Sequence, residues 1–421
     1  MSTTMTATPA KATSKPVDAH LAAFDRLIEP TAGGQPGWLF PLRKAGIACF
    51  AEQGFPTVAH EDWRFTNIAP LTKLPFKPAA EDGEEIGADV LTAFTFAGLA
   101  GPLLVFVNGH FSGTLSRIGS LPTGVKVSGL KAALAAEPGL LEKHLGHYTS
   151  TADNAFAALN TAFFQDGVFI QVSAGVSVPE PVRVIYLTTA TEPGTAISPR
   201  NLIIAERDAK VTVVESYVTT TGAASFTNAV TELVAGDNAQ VEHVKLQDEA
   251  REAFHIATLS AHLGRHCNVS AHSFALGARL SRYNIRTRLA GQGLECVLNG
   301  LYLMSGEQLA DHHMIVEHAE PHCASHEYFN GILDDKSRGV FHGRILVRPI
   351  AQKTDAKQTN KNLLLSDDAT ADTKPQLEIY ADDVKCTHGA TIGQLNDESI
   401  FYLRSRGIGL DRAKRMLIHA F

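Results

Sequence analysis

The fold is decided by four similar stretches of sequence: AERDAKVTVVE at 205–215, VAGDNAQVEHV at 234–244, HLGRHCNVSAH at 262–272 and LAGQGLECVLN at 289–299. Each stretch has a Gly or an Asp within its first four residues and continues into a short segment with β-branched residues, which is the pattern of a turn followed by a strand. Successive turns are separated by 29, 27 and 27 residues. A unit of this length cannot bury its own hydrophobic face, so the recurring spacing indicates a stacked architecture.

This texture begins after Val168 and defines a predicted core at 166–395. Because the units contain strands and almost no helical pattern, we predict a mainly β protein with a parallel β-helix as its core. A β-sandwich is the alternative that the strand pattern leaves open. The predicted turns lie at Asp208, Asp237, Gly264 and Gly291, with later turns at Asp334 and Asp367.

Helical patterns flank this core. Apolar residues recur at helical spacing over 38–53, within a predicted N-terminal helical or mixed region at 21–165 that follows a disordered tail at 1–20. From 396 to 421 the spacing is helical again, and Gly407 divides this C-terminal region into two helices.

Shorter segments also carry local signals. The stretch LLVFVNGHF at 103–111 predicts a strand and a turn, and DNAFAALNTAFFQDG at 153–167 predicts an amphipathic helix that Gly167 closes. Asn396 or Asp397 is expected to cap the first C-terminal helix, and Asp411 the second.

The composition excludes several classes of protein. A formal net charge of -7 argues against a protein whose main role is to neutralise phosphates. The longest apolar runs, such as GPLLVFV at 101–107, fall far short of the ~20 residues of a membrane-spanning helix, and the first residues predict no export signal. Five cysteines are scattered without C-x-x-C spacing, as is typical of a reducing compartment. We therefore expect a soluble cytoplasmic protein that binds neither nucleic acid nor membrane.

Histidines cluster in DHHMIVEHAEPHCASHEYF at 311–329, which raises the question of a metal site. In a strand, His312 and His318 share one face, but at ~3.3 Å per residue they lie roughly 20 Å apart and cannot hold the same ion. A metal site in this run therefore requires ligands from several coils. Otherwise the histidines belong to the core or the surface.

Cys386 and His388, in KCTHGAT at 385–391, form a sharper pair. Two residues apart in an extended segment, they share a face at a separation near ~7 Å. Thiolate and imidazole both suit iron and zinc, but two ligands make an incomplete site. A buried cysteine beside a hydrogen-bonded histidine is the structural alternative.

Paired carboxylates suggest a second class of function, because β-helices often host polysaccharide-degrading enzymes. A β-helical carbohydrate-active enzyme is thus an alternative, although a chain with two tryptophans offers little for binding sugars. Aspartates are also common in turns, where they satisfy backbone donors, and we favour that interpretation. The acidic doublets are Asp334-Asp335, Asp367-Asp368 and Asp382-Asp383.

Sequence motifs for nucleotide binding and nucleophilic catalysis are missing. The chain contains no G-x-x-x-x-G-K-[ST] run, no G-x-G-x-x-G fingerprint and no G-x-S-x-G elbow. We therefore expect a protein that is not itself an enzyme.

The C-terminal helix pair combines basic and apolar residues. A DNA-binding helix-turn-helix, a hairpin that docks a partner, and a cap over the open end of the β-helix are the three interpretations. Little further basic charge surrounds the pair, so docking or capping fits better than DNA binding. The basic residues are Arg404, Arg406, Arg412, Lys414 and Arg415, and the apolar ones are Phe401, Tyr402, Leu403, Met416, Leu417 and Ile418.

These residues also resemble a known family. The stretch from Tyr328 to Ile408 closely resembles the core signature of the SufB/SufD family of iron-sulfur cluster assembly proteins. GFPTVAHEDWRFTNIAPL at 54–71 and NAFAALNTAFFQDGVFIQV at 154–172 extend the similarity over nearly the whole chain beyond the tail. Within KCTHGAT, Gly389 stands where the SufB branch typically has Glu, so the resemblance is to the SufD branch.

The resemblance implies a right-handed parallel β-helix that pairs edge to edge with SufB, while the C-terminal helices dock the SufC ATPase. The chain would then be a scaffold subunit of a SufBCD complex, in which SufC supplies the ATPase activity. ATP-driven dimerisation of SufC would open the interface between the two β-helices for cluster building. A homodimer is the alternative assembly for the isolated chain.

The resemblance also assigns residues and cofactors. His388 matches the histidine of the family's interface and would hold iron or a nascent iron-sulfur cluster, together with a Cys and a Glu of SufB. Cys386 is the weaker candidate ligand, because an inward-facing thiol usually serves packing. Reduced flavin is a further candidate cofactor of the assembled complex. Relatives usually continue with further helix after the position of Phe421. The residues that match the terminal docking motif are Phe401, Tyr402, Leu403, Arg404, Arg406, Gly407 and Ile408.

Overall fold

The structure, a computed structural model, describes residues 15–28, 36–81, 86–95 and 98–421. Most of the predicted tail, residues 1–14, lies outside this part of the chain. The first helix begins at Lys15, within the segment predicted as tail. No helix in the described part of the chain is long and apolar enough to cross a membrane.

Helices occupy both ends of the chain. The α-helices are α1 (Lys15–Ile28), α2 (Leu39–Gln53), α3 (Ala69–Thr72), α4 (Leu130–Ala136), α5 (Pro138–His144), α6 (Ala155–Phe163), α7 (Asp397–Ser405) and α8 (Leu410–Ala420). Two short 3-10 helices span Glu61–Trp63 and Ala88–Ala93.

Strands form the middle of the chain. They are β1 (Lys77–Pro78), β2 (Leu103–Val107), β3 (His110–Phe111), β4 (Val125–Gly129), β5 (Val168–Val172), β6 (Val182–Thr188), β7 (Thr195–Ile197), β8 (Arg200–Ala205), β9 (Lys210–Thr219), β10 (Phe226–Ala235), β11 (Gln240–Asp248), β12 (Phe254–Leu263), β13 (Asn268–Ala275), β14 (Leu280–Leu289), β15 (Glu295–Met304), β16 (Leu309–His318), β17 (Ala324–Leu333), β18 (Arg338–Val347), β19 (Asp355–Leu364), β20 (Thr370–Ile379) and β21 (Lys385–Gln394).

The strands alternate between two sheets. One sheet, here called sheet A, has the order β20-β18-β16-β14-β12-β10-β8-β5-β4, and the other, sheet B, has the order β21-β19-β17-β15-β13-β11-β9-β6-β2-β3. From β8 to β21 each strand pairs in parallel with the strand two places further along the chain. The result is a parallel β-helix of about 8 turns, as the repeat predicts, and the β-sandwich alternative is wrong.

The turns between coils lie where the repeat predicts them. The left-handed conformation is adopted by Asp208 (φ 59), Asn238 (φ 58) and His266 (φ 55), which follow one another at corresponding positions. Gly291 serves another purpose, because a Cβ at this position would lie 2.2 Å from the backbone nitrogen of Arg265 in the preceding coil. The acidic doublets also lie in turns. Asp334 accepts a hydrogen bond from the backbone of Asp335 at 2.9 Å, which agrees with their interpretation as turn residues.

The N-terminal region covers the outer face of sheet A through α6. Every residue of α6 is buried, so the prediction of an amphipathic helix is wrong: the helix packs against α2 on one side and β10 on the other. Beneath it, Arg200 and Glu232 form a fully buried ion pair at 2.6 Å. Arg200 also donates to the side chain of Asn160 at 3.1 Å, which ties α6 to the sheet.

Close contact between neighbouring coils yields a test of the stacking. In β15, an added Cβ at Gly300 would lie 2.2 Å from the ring of Phe329, which is fully buried in the next coil. We expect Gly300→Ala to lower the free energy of unfolding by about 1–3 kcal/mol, because the ring cannot move without disturbing the core. Urea denaturation measures this change.

The matched control is Gly393→Ala in β21, where an added Cβ meets nothing within 4 Å. This variant should unfold within about 0.5 kcal/mol of the wild type. Equal stability of the two variants would contradict the proposed role of Gly300 in coil stacking.

Candidate functional site

The last coil of the β-helix, formed by β20 and β21, is open on one side. Each of these strands is the last in its sheet and has ten residues, so each presents one unpaired edge. Nine of the ten residues of β21 are exposed, whereas β19 beneath it buries its inward side chains. An unpaired edge of this length can accept a further strand. We call β20, β21 and their exposed side chains the terminal coil.

His388 and Cys386 lie side by side on the terminal coil. The register pairs Cys386 with Ala356 and His388 with Gln358 of β19. Both partners are buried and point into the interior of the β-helix. The two residues therefore continue two inward-facing columns of side chains at the point where the stacking ends. His388 is exposed and Cys386 is half-buried.

The thiol of Cys386 is less suited to metal binding than the imidazole of His388. Partial burial raises the pKa of the Cys386 thiol, and the nearby charge of Asp355 raises it further. The side chain packs beside a small apolar cluster that includes Ile345 and Ala356. Since thiolate is the form that binds metal, the neutral thiol supports a packing role.

A buried carboxyl lies below His388 in the same column. Glu327 in β17 pairs with Gln358 in β19, whose Nε2 donates to Glu327 Oε2 at 2.7 Å. The other carboxyl oxygen, Oε1, is buried without a hydrogen-bond partner. Burial raises the pKa of Glu327 to about 7, so this carboxyl changes its protonation state near neutral pH.

The C-terminal helices leave a hydrophobic surface uncovered. Phe401 is 74% exposed and Tyr402 57% exposed, and α7 buries none of its residues. Of α8, only Ala413 is buried, so the two helices pack mainly on each other and do not seal the terminal coil. A groove of about 850 Å³ runs between them. Its lining residues are Asp397, Glu398, Ser399, Phe401, Tyr402, Leu403 and Leu417.

The turn between α7 and α8 is built as expected, with one correction. Asn396 caps α7 by accepting a hydrogen bond from the backbone of Ser399 at 2.9 Å, and Gly407 adopts the left-handed conformation after the helix. Gly409, and not Asp411, is the N-cap of α8, since that helix already begins at Leu410.

The remaining residues of the predicted docking motif surround this turn. Arg406 donates to the Tyr402 hydroxyl at 3.0 Å, Arg404 is exposed, and the backbone of Ile408 donates to Leu403 at 3.3 Å. The seven residues of the motif therefore lie together on one hairpin.

Of the histidine run, the three histidines in β16 are divided between the two faces of sheet A. His312 and His318 point inward, and burial lowers their pKa values to about 3 and about 4, so both are neutral. His318 contacts the Ser325 hydroxyl at 2.9 Å as a core residue does. His313 points to the outer face, where it meets His342 of the next coil with ring centroids 4.2 Å apart. The sequence provided no signal for the contact between His313 and His342.

Comparison with known proteins supports the resemblance along the whole chain. The family described as "SUF system FeS cluster assembly, SufBD core domain" matches residues 186–421, and the "SufBD protein N-terminal region" matches residues 31–184. An iron-sulfur cluster assembly SufBD family protein of Synechocystis is 34% identical, over 93% of this chain and 87% of the relative. Iron-sulfur cluster assembly protein SufD of Escherichia coli is 35% identical, over 87% of this chain and 84% of the relative. SufD of Bacillus subtilis is 27% identical, over 71% of this chain and 68% of the relative.

The raised pKa of Glu327 predicts a pH dependence of stability. Between about pH 4.5 and 7 the folded chain holds a proton on Glu327 that the unfolded chain releases, so the stabilising effect of this proton is lost as the pH rises through the folded pKa. We expect Glu327→Gln to be increasingly more stable than the wild type across this window. Above pH 7 the difference in the free energy of unfolding between Glu327→Gln and the wild type should stay constant at about 3 kcal/mol.

Urea denaturation at several pH values between about 4.5 and 8 measures this difference. Glu295→Gln is the control, since Glu295 is an exposed carboxylate in β15. A difference between Glu327→Gln and the wild type that did not change with pH would contradict the proposed protonation of Glu327.

Proposed function

The chain belongs to the SufBD family of iron-sulfur cluster assembly proteins as a SufD homologue, and we propose that it is the SufD-type scaffold subunit of a SufBCD complex. In this complex it pairs with SufB and docks the SufC ATPase, so that nascent clusters are built and transferred. The observation that carries the proposal is the terminal coil, where a stack of buried columns ends uncovered with His388 at its edge.

Pairing with SufB would complete the stack. The backbone groups along the free edges of β20 and β21 lack strand partners on one side, and a sister β-helix could supply them. Apolar side chains on the terminal coil would be buried in the same step: Ile392 is 48% exposed, Tyr380 61% and Ile379 39%. In the absence of SufB, a second copy of the chain could cover the same edges as a homodimer.

His388 would act as a ligand to iron or to a nascent cluster at this interface. An exposed imidazole at the end of an inward column can meet ligands from a facing subunit, and a Cys and a Glu of SufB are the expected partners. The cluster would be the cargo of the complex, shared by two subunits. Cys386 is the secondary candidate, because its pKa is raised and its side chain is half-buried.

The hairpin of α7 and α8 would bind SufC. Its groove is lined by the exposed rings of Phe401 and Tyr402, and the same hairpin carries the exposed basic side chains of Arg404 and Arg406. Aromatic residues and arginine together are typical of partner-binding surfaces. The chain has no P-loop of its own, so ATP hydrolysis would reside in SufC. Reduced flavin, if it takes part, would belong to the assembled complex. The five cysteines are all free thiols, which supports a location in the cytoplasm.

The first test of this proposal replaces the candidate ligand. We expect His388→Ala to fold and to assemble with SufB and SufC, because the side chain is exposed, but to lose most of the cluster formation of the complex. Absorption spectroscopy of the co-purified complex during anaerobic reconstitution measures the loss. His326→Ala is the control, since His326 lies on β17 and pairs with Val297 and Lys357 outside the inward columns.

Two results of the His388 test have different meanings. Normal cluster formation in an intact His388→Ala complex would disprove the ligand assignment while leaving the scaffold role standing. Failure of the wild-type chain to co-purify with SufB or SufC would disprove the scaffold role itself.

The second test concerns docking of the ATPase. Phe401→Glu should abolish or strongly weaken capture of SufC while leaving the pairing with SufB intact, because it places a charge in the uncovered groove. Native mass spectrometry of the co-expressed subunits distinguishes the two contacts. Phe40→Glu is the matched control: Phe40 is 45% exposed and lies on α2 in the N-terminal region. Equal SufC capture by both variants would remove α7 as the docking element.

A further inference from the structure

A second group of metal-ligating side chains lies on the outer face of sheet A. The ligand atoms of Asp62, His313 and His342 lie within 4.8 Å of one another. His313 belongs to β16 and His342 to β18, and the register places them directly opposite each other. Asp62 comes from the 3-10 helix Glu61–Trp63, and its Oδ1 lies 3.7 Å from His313 Nε2.

The segment that carries Asp62 is firmly attached to the sheet. Its backbone carbonyl accepts a hydrogen bond from Arg282 Nη1 at 2.9 Å, and the Arg282 guanidinium stacks over the ring of Trp63 at 3.8 Å. Glu61 forms an ion pair with Lys374 in β20 at 2.5 Å. These contacts on both sides of Asp62 hold its carboxylate against the two imidazoles.

Both imidazoles are buried, and one of them has a partner that orients its ring. The Nε2 of His342 lies 2.7 Å from Oε1 of Gln376, which can only accept a hydrogen bond. Nε2 of His342 must therefore carry the proton, and Nδ1 keeps a lone pair that can bind a metal. Outer hydrogen-bond acceptors fix metal-binding histidines in the same way.

The ring nitrogens of His313 make few contacts, since its Nε2 lies 3.7 Å from Asp62 Oδ1, which is longer than a hydrogen bond. His313 is 6% exposed, and its Nδ1 is buried without a hydrogen-bond partner. The Asp62–His313 pair alone does not account for the cluster, because its two facing atoms are 3.7 Å apart, longer than a hydrogen bond, and His342 stands outside the pair. A bound cation would draw the carboxylate and the two rings together.

Each of three arginines near the cluster is paired with a carboxylate, so its positive charge opposes a bound cation less. Arg282 is paired with Asp311 at 2.5 Å, Arg286 with Asp153 at 2.6 Å and Arg344 with Glu378 at 3.5 Å. The cluster opens into a cleft of about 1000 Å³ between the N-terminal region and sheet A. Solvent molecules in this cleft could complete the coordination of a bound ion.

We propose that Asp62, His313 and His342 form a binding site for a divalent transition-metal ion, of the class that zinc and iron(II) represent. Two imidazoles and one carboxylate, with further positions open, suit such ions better than magnesium or calcium. The site joins the N-terminal region to two adjacent coils of the β-helix. Its three ligands lie outside the terminal coil, which contributes the outer partner Gln376 of β20. The site therefore does not depend on the function proposed above.

Cobalt(II) is the probe for this site, because its visible absorption reports both binding and coordination. The full-length chain, treated with chelator and kept anaerobic, should bind one cobalt ion that zinc displaces, and the ion should raise the melting temperature. His313→Gln and Asp62→Asn should each weaken binding by roughly 100-fold, and Gln376→Ala by roughly 10-fold. The control is His272→Gln, since this half-buried histidine of β13 belongs to sheet B.

Asp62 is exposed, so Asp62→Asn tests the site even if a variant at the buried His313 is unstable. The proposal is overturned if the wild-type chain binds no cobalt. It is equally overturned if Asp62→Asn and His313→Gln bind cobalt as tightly as His272→Gln, because the ion would then lie elsewhere.

Discussion

The lateral pairing of parallel strands is the constraint from which the other features follow. Each strand of the β-helix hydrogen-bonds with the preceding and the following coil in an unshifted register, so side chains at matching positions form continuous columns. A column in the middle of the stack is covered on both sides. At the terminal coil the columns of Cys386 and His388 end without a neighbour. The same pairing that buries the core thus creates an exposed end.

The interior columns contain ionisable groups as well as apolar ones. Glu215 and His243 lie 3.0 Å apart and Glu249 and His255 lie 2.7 Å apart, all fully buried. Lys245 lies among them, and burial lowers its pKa to about 8. Burial of such groups costs free energy unless their partners are aligned. A one-residue slip would turn one member of each pair to the outer face, so these pairs disfavour any other register.

The N-terminal region and the C-terminal hairpin differ in how much surface they bury against the β-helix. The first covers the outer face of sheet A, where α6 and the Arg200–Glu232 pair bury a large apolar and polar contact. The hairpin of α7 and α8 buries almost nothing of the chain itself. The N-terminal region therefore buries its contacts with sheet A, whereas the C-terminal end keeps unpaired strands and aromatic rings exposed. This asymmetry agrees with the scaffold role proposed above.

The sequence by itself determined the repeating architecture, because turns and strands are specified by residues close together in the chain. The spacing of Asp208, Asp237, Gly264 and Gly291 predicted stacked coils, and Asn396 and Gly407 marked the bounds of α7. The face shared by Cys386 and His388 also followed from the alternation of side chains along a strand. Local signals are sufficient for features of this kind.

Only the tertiary structure decided which surfaces are covered and which distant residues meet. The apolar residues of α6 gave no indication that the helix is enclosed on all sides, since α2 and β10 are remote from it in sequence. Within the histidine run, His313 was indistinguishable from its neighbours until the register placed it against His342, and the segment of Asp62 had no predictable conformation. Contacts between coils depend on long-range pairing, and a pattern read along one strand does not contain that information.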